Sequence, residues 1–152
     1  MTWRWPSLIL LITLVAWLQN SNFYFWSVKR NFSLAVLIVL AVWGTTLYEQ
    51  IILTLFSALL LKFTPGFDWA LVVLILISIA TFFVNKILPW KSLFSGCFLI
   101  LVGSFLFYLL SAPEFTYNNW GVVMLEAFYN LAVGAMIVLL LFSNEKEKRL
   151  KF

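Results

Sequence analysis

The chain has 152 residues, of which 64% are hydrophobic and 11% charged, and it carries a net charge of +4 with no histidine. Soluble domains carry about a quarter charged residues, so this composition excludes a water-soluble globule and makes a bilayer the solvent. The positive charge requires no nucleic acid, because basic residues flanking spans set orientation in a membrane. Membrane lipids are the expected surroundings.

At about 20 residues per span, the apolar stretches leave room for five or six spans and for no separate soluble domain. Backbone amides must be paired in hydrocarbon, and the unbroken Leu/Ile/Val/Phe runs lack the alternation of barrel strands. The expected fold is all-α, a polytopic transmembrane helical bundle of about six helices, with five as the alternative.

The first span is expected over 7–26, with Trp3 and Trp5 ahead of it and Tyr24 and Trp26 near its far end, where aromatics suit the interfaces. Its polar stretch Gln19–Asn22 is a place where a short helix would end early. Arg4 before the apolar run Leu8–Leu18 has the outline of a signal peptide, but the residues that follow offer no small-residue cleavage pattern. The stretch Phe32–Phe63 is 32 residues long. As one helix it would reach about 48 Å against a hydrocarbon core of about 30 Å. A break is therefore predicted at Gly44-Thr45-Thr46-Leu47-Tyr48-Glu49-Gln50, leaving a second span over 32–43 and a third over 51–61.

Thr64-Pro65-Gly66-Phe67-Asp68 reads as a tight turn, with Asp68 capping a helix that begins at Trp69. The fourth span is expected over 69–84, the connection at Asn85–Lys91, the fifth span over 92–110, and a further break at Ser111-Ala112-Pro113-Glu114. The sixth covers 120–142 and is followed by a charged tail, 143–152. No internal repeat is visible.

Six spans put Arg4, Lys86, Lys91 and the tail cations Lys146, Lys148, Arg149 and Lys151 on one side, seven against the three of Lys29, Arg30 and Lys62, with both termini inside. Five spans give eight against two, with the N-terminus outside. Helix length and the polar break favour six. Either count leaves the C-terminus cytoplasmic.

Without histidine the usual general base and the commonest metal ligand are missing. Asp68 is the single aspartate, so a paired-aspartate site is excluded as well. Glu49, Glu114 and Glu126 are scattered without metal-ligand spacing, and no Gly-rich phosphate loop is present. The chain is read as no enzyme, with no cofactor. Cys97 is alone and is expected to pack.

Glu126, Asn130 and Gly134 recur every four residues on the last span and share one helix face, with Tyr129 beside them. A carboxylate inside a span usually faces protein or a water-filled cavity. Two readings stay open: a polar contact to another helix, subunit or ligand, or partial solvation near the interface about two turns from Trp120. On the fifth span, Ser92 and Gly96, then Gly103 and Ser104, are small residues at spacings that allow close helix approach. That contact is either ordinary packing within the bundle or a seam between subunits. Glu49 is expected at the cytoplasmic surface, solvated or docking a basic segment, and Lys62 is expected to snorkel.

The order of spans, the Pro/Gly turn, the basic connection and the last helix opening with Glu126-Ala127-Phe128-Tyr129-Asn130 resemble MreD, the small polytopic subunit of the bacterial rod-shape machinery. In that family a Tyr-Asn pair recurs near the start of the final helix, and Tyr129-Asn130 fits it. At Leu55–Lys62, Ser57 and Ala58 stand where the family has glycine. The resemblance implies a non-catalytic scaffold in the cytoplasmic membrane that binds MreC, a single-span coiled-coil protein, and joins the cell-wall elongation enzymes to the cytoskeleton. The alternative is the substrate-capturing membrane subunit of an energy-coupling-factor vitamin transporter, whose architecture is similar. Such a subunit would need an alanine-rich docking stripe, and Leu8–Leu18 offers only Ala16.

Overall fold

The structure, a computed structural model, describes residues 4–21, 31–43, 45–62, 68–88 and 92–149, with the side chains of 4, 92, 93 and 140–149 outside that description. Several expected features therefore lie outside the described residues. They are the interfacial Trp3, Tyr24 and Trp26, the cations Lys29, Arg30 and Lys91, the Pro65-Gly66 turn, the side chain of Ser92 and the end of the tail.

Among the described residues the chain is entirely helical: α1 (Arg4–Asn20), α2 (Phe32–Val42), α3 (Leu47–Leu61), α4 (Trp69–Ile87), α5 (Ser92–Ser111), α6 (Pro113–Asn118) and α7 (Trp120–Arg149). Within α4, α5 and α7, the segments Trp69–Ile87, Phe94–Ser111 and Trp120–Leu139 are long and apolar enough to cross a membrane. The apolar stretches of α1, α2 and α3 are shorter.

Each start has a local cause. Asn31 opens α2 by accepting the Leu34 amide at 3.3 Å. Thr46 and Glu49 form a reciprocal capping box at the head of α3, the Glu49 amide to Thr46 Oγ1 at 3.2 Å and the Thr46 amide to Glu49 Oε2 at 2.9 Å. Asp68 accepts the Ala70 amide at 3.0 Å and opens α4, as its position suggested. Pro113, whose missing N–H is no loss in a first turn, begins the short α6.

These starts move several expected boundaries. Helix α3 begins at Leu47, so Glu49 and Gln50 belong to a helix and not to the break, because the capping box absorbs the polar cluster into a first turn. Asn85 and Lys86 continue α4 to Ile87. Ser111–Glu114 contains only one non-helical residue, Ala112, between α5 and α6. Backbone helix runs into the charged tail as far as Arg149.

Side-chain contacts fix the directions. Gln19 meets the start of α2, and Asn20 Nδ2 donates to the Leu60 carbonyl, so the ends of α1 and α3 and the head of α2 share one end of the molecule. Trp69 Nε1 donates to the Leu110 carbonyl at 2.9 Å, and Tyr108 bonds Glu126, which brings the head of α4, the end of α5 and the head of α7 to that same upper end. At the lower end Ser95 Oγ donates to Asn85 Oδ1 at 2.7 Å where α4 gives way to α5.

Helix α2 is the axis of this arrangement, packed against α1, α3, α4, α5 and α7. Every residue from Ser33 to Val42 is buried. Ile12, Leu53, Leu74, Ile77 and Ile100 close on it to make the core. Large apolar residues face outward on the other helices, Leu10 at 68%, Leu59 at 70%, Phe94 at 69% and Met136 at 64% exposed. Apolar surface of that extent suits lipid, not water.

Candidate functional site

An 11-residue helix is about 16 Å long, so both ends of α2 fall inside the depth of the bundle. The amides of a helix's first turn and the carbonyls of its last have no partner within the helix, and hydrocarbon offers none. Polar side chains of the interior meet α2 at its head, midway along it and near its last turn.

At the upper end Glu126 of α7 is 2% exposed and accepts the Asn31 backbone amide at 2.8 Å through Oε1. Its other oxygen accepts the Tyr108 hydroxyl from α5. A carboxylate there also lies at the positive end of the α2 dipole. Gln19 of α1 accepts the Ser33 amide at 2.9 Å, while the Asn31 side chain takes the Leu34 amide and lies 3.5 Å from Gln19 Nε2. Three of the leading amides of α2 are thus held by side chains from α1, α7 and the N-cap itself.

Midway along α2, Gln50 of α3, fully buried, donates through Nε2 to the Leu37 carbonyl at 3.0 Å and to Ser78 Oγ of α4 at 2.8 Å. Ser78 and Thr54 share a further bond at 2.8 Å. Thr45 Oγ1 stands 3.0 Å from both the Leu40 carbonyl and Gln50 Oε1, and its single proton serves one of them at a time.

Below Glu126, the expected face of α7 continues inward. Asn130 is fully buried and donates through Nδ2 to Ser104 Oγ of α5 at 3.0 Å. Gly134, one turn further, meets Ile100 of α5 and Val39 of α2, and a Cβ at 134 would overlap Ile100 Cδ1. Glu126, Asn130 and Gly134 therefore lie along one seam, while Tyr129 beside them is half-buried. Gly103 admits Ile38 of α2, whose Cδ1 would stand 2.7 Å from a Cβ at that position, and Gly96 faces Val42 at 3.8 Å. Gly96, Gly103 and Ser104 all face the interior of this chain. Cys97 is half-buried, and Lys62 is exposed at the end of α3.

Tyr108, Asn31, Gln19, Gln50, Thr45, Thr54 and Ser78 were not singled out by sequence reasoning. A signal existed for part of this group: Gln50, Thr54 and Ser57 recur at helical spacing in an apolar run, as do Ser78, Thr81 and Asn85. Among the described residues, three buried side-chain atoms have no hydrogen-bond partner, Ser33 Oγ, Ser57 Oγ and Asn130 Oδ1. The described residues contain no group of three or more His, Cys, Asp or Glu side chains able to hold a metal ion. The chemistry of both clusters is that of hydrogen bonding between helices. No protein-family model, curated protein or solved structure matches the chain.

Proposed function

We propose that this protein is a non-catalytic scaffold of the bacterial cytoplasmic membrane, crossing it six times with both termini in the cytoplasm, and that it serves the cell-shape and cell-wall elongation machinery as MreD-like proteins do. Its partner on this reading is a single-span coiled-coil protein of the MreC kind. The observation that supports a scaffold is the inward commitment of the polar groups: Glu126, Asn31, Tyr108 and Gln19 bond one another and the head of α2, and Gln50 bonds the Leu37 carbonyl midway along it and Ser78. A body fastened in this way keeps apolar outer faces for lipid and for a partner's span. The narrower assignment rests on the resemblance at Glu126–Asn130.

The substrate-capturing alternative keeps one observation in its favour, the unpartnered side-chain oxygen of the buried Asn130. Native mass spectrometry of the protein gently extracted from its own membranes separates the two. A stoichiometric single-span coiled-coil protein is the expected companion. A bound vitamin-sized molecule, or an ATPase-linked subunit, would replace the scaffold reading with the transporter one.

A further inference from the structure

The outer helices differ in length in a systematic way around α2. Among the described helices α1 packs on α2 and α3, α4 lies between α3 and α5, and α5 packs on α7, so α1 and α3 make one edge of the described bundle and α5 and α7 the opposite edge. Helix α3 has 15 residues, about 22 Å at the helical rise, and both its ends are polar and marked. The exposed Thr46 with its Glu49 capping box stands at the head, and the exposed Lys62 follows the last turn. The apolar part of α1, Trp5–Leu18, is of similar length and ends at Gln19 and Asn20, which bond Asn31 and the Leu60 carbonyl. At the opposite edge α5 has 20 residues, as has the apolar segment Trp120–Leu139 of α7, about 30 Å each.

Cross-bonds show how the two edges are aligned. Thr54 and Gln50 meet Ser78, and Asn85 meets Ser95, which puts Tyr48 near the level of Phe82 on α4 and of Phe98 on α5. Tyr48 is 72% exposed in the first turn of α3, beside the capping box, whereas Phe98 is 42% exposed and lies well inside α5. At one height the molecule is thus polar-ended on one edge and apolar on the other.

We propose that the α1/α3 edge is a lipid-contact surface built for a hydrocarbon layer several ångströms thinner than the one the α5/α7 edge fits, so that the protein thins the bilayer beside α1 and α3. This rests on the reading of the chain as membrane-spanning. A hydrophobic length shorter than the bilayer is accommodated by thinning, by snorkelling of flanking residues or by oligomerisation. The outward face of this edge carries Leu10, Leu14, Trp17, Leu55 and Leu59, and the exposed Thr13 among them returns its hydroxyl to the Ile9 carbonyl of its own helix. Interfacial side chains stand close to its ends, Trp17 above and Tyr48 below, as expected where lipid itself is the partner.

The test uses the full chain with Cys97→Ser, carrying a single spin label at Tyr48→Cys or at Phe98→Cys, in bilayers of dioleoyl phosphatidylcholine. Collision with a water-soluble nickel complex and with oxygen reports the depth of each label. The expected result is a nickel-to-oxygen ratio several-fold higher at position 48 than at 98, with a further rise at 48 as lipid chains are shortened from 18 to 14 carbons, on the order of the thickness matching described for spans. Equal depth for the two labels in hydrocarbon would overturn thinning. Protection of position 48 from both reagents, with label-to-label distances between copies, would assign the edge to a second copy instead. Free nickel access at both positions in every bilayer would overturn the membrane-spanning reading itself, a pattern distinct from the other two.

Discussion

Glu126 illustrates how an acidic side chain is tolerated among apolar helices. Its two oxygens take two donors, an amide and a hydroxyl, from segments 95 and 18 residues away in sequence. Glu126→Ala would strand both donors, and an unsatisfied buried group costs about 1–3 kcal/mol. The expected outcome is a marked fall in melting temperature in detergent, with Glu126→Gln recovering part of it because an amide oxygen still accepts one bond. A Glu126→Ala/Tyr108→Phe cycle should give a coupling of about 0.5–2 kcal/mol, and strict additivity would refute the pairing. Gly134→Ala drives a methyl into Ile100, with an overpacking cost of about 1–3 kcal/mol. Adding Ile100→Val or Ile100→Ala should restore much of the lost stability, while Gly121→Ala, which meets nothing within 4 Å, should be near neutral. The shared face of Glu126, Asn130 and Gly134 was legible because helical spacing is a property of the chain alone. The groups that meet this face were not, because Tyr108 and Asn31 come from helices whose placement only the assembled bundle decides.

At the scale of elements, α2 shows what a short buried helix requires. Its leading amides are held by residues of α1 and α7 and by Asn31, the Leu40 carbonyl near its end by Thr45, and the Leu37 carbonyl midway along it by Gln50 of α3. Gln50→Leu keeps the size but removes the bonds to the Leu37 carbonyl and to Ser78, and should cost about 1–3 kcal/mol, read as a lowered unfolding midpoint. Thr46→Ala, at the exposed capping box of α3, should cost about 1 kcal/mol, and the comparison separates a cap at the rim from a fastener in the core. The polar run Gly44–Gln50 has the look of a break because polar residues between apolar runs resemble a loop. The Thr46-x-x-Glu49 pattern within it is a helix-start signature, and it moves the boundary to Leu47. Asp68 was legible as a cap because its partner, the Ala70 amide, is two residues away. Helix α6 escaped notice because six residues are too few to show a period, and Pro113 reads as a break until it is seen in a first turn.

For the whole molecule, the alternation of α1 to α5 and α7 brings the start of α1 and the end of α7 to the same lower end. Reporter proteins fused to the two termini should therefore register the same compartment, the cytoplasm on the proposed orientation. Opposite compartments would instead support the five-span count and its outward N-terminus. Among the described residues seven helices form, three of them long and apolar enough to cross a membrane, and of this the all-α class was legible from composition and run length. The central position of α2 was not, because an evenly apolar 11-residue run has no polar face to reveal which neighbours surround it.

The order in which the chain is made gives the burial of α2 another meaning. Helix α2 leaves the ribosome after α1 alone, while α3, α4, α5 and α7, which cover the rest of its surface, are still to come. Eleven residues are too short to settle across a bilayer as an independent helix, and the carboxylate that receives its first amide is 95 positions downstream. The head of α2 is consequently satisfied only when the last helix arrives, and a nascent chain released before Glu126 lacks the acceptor for that amide.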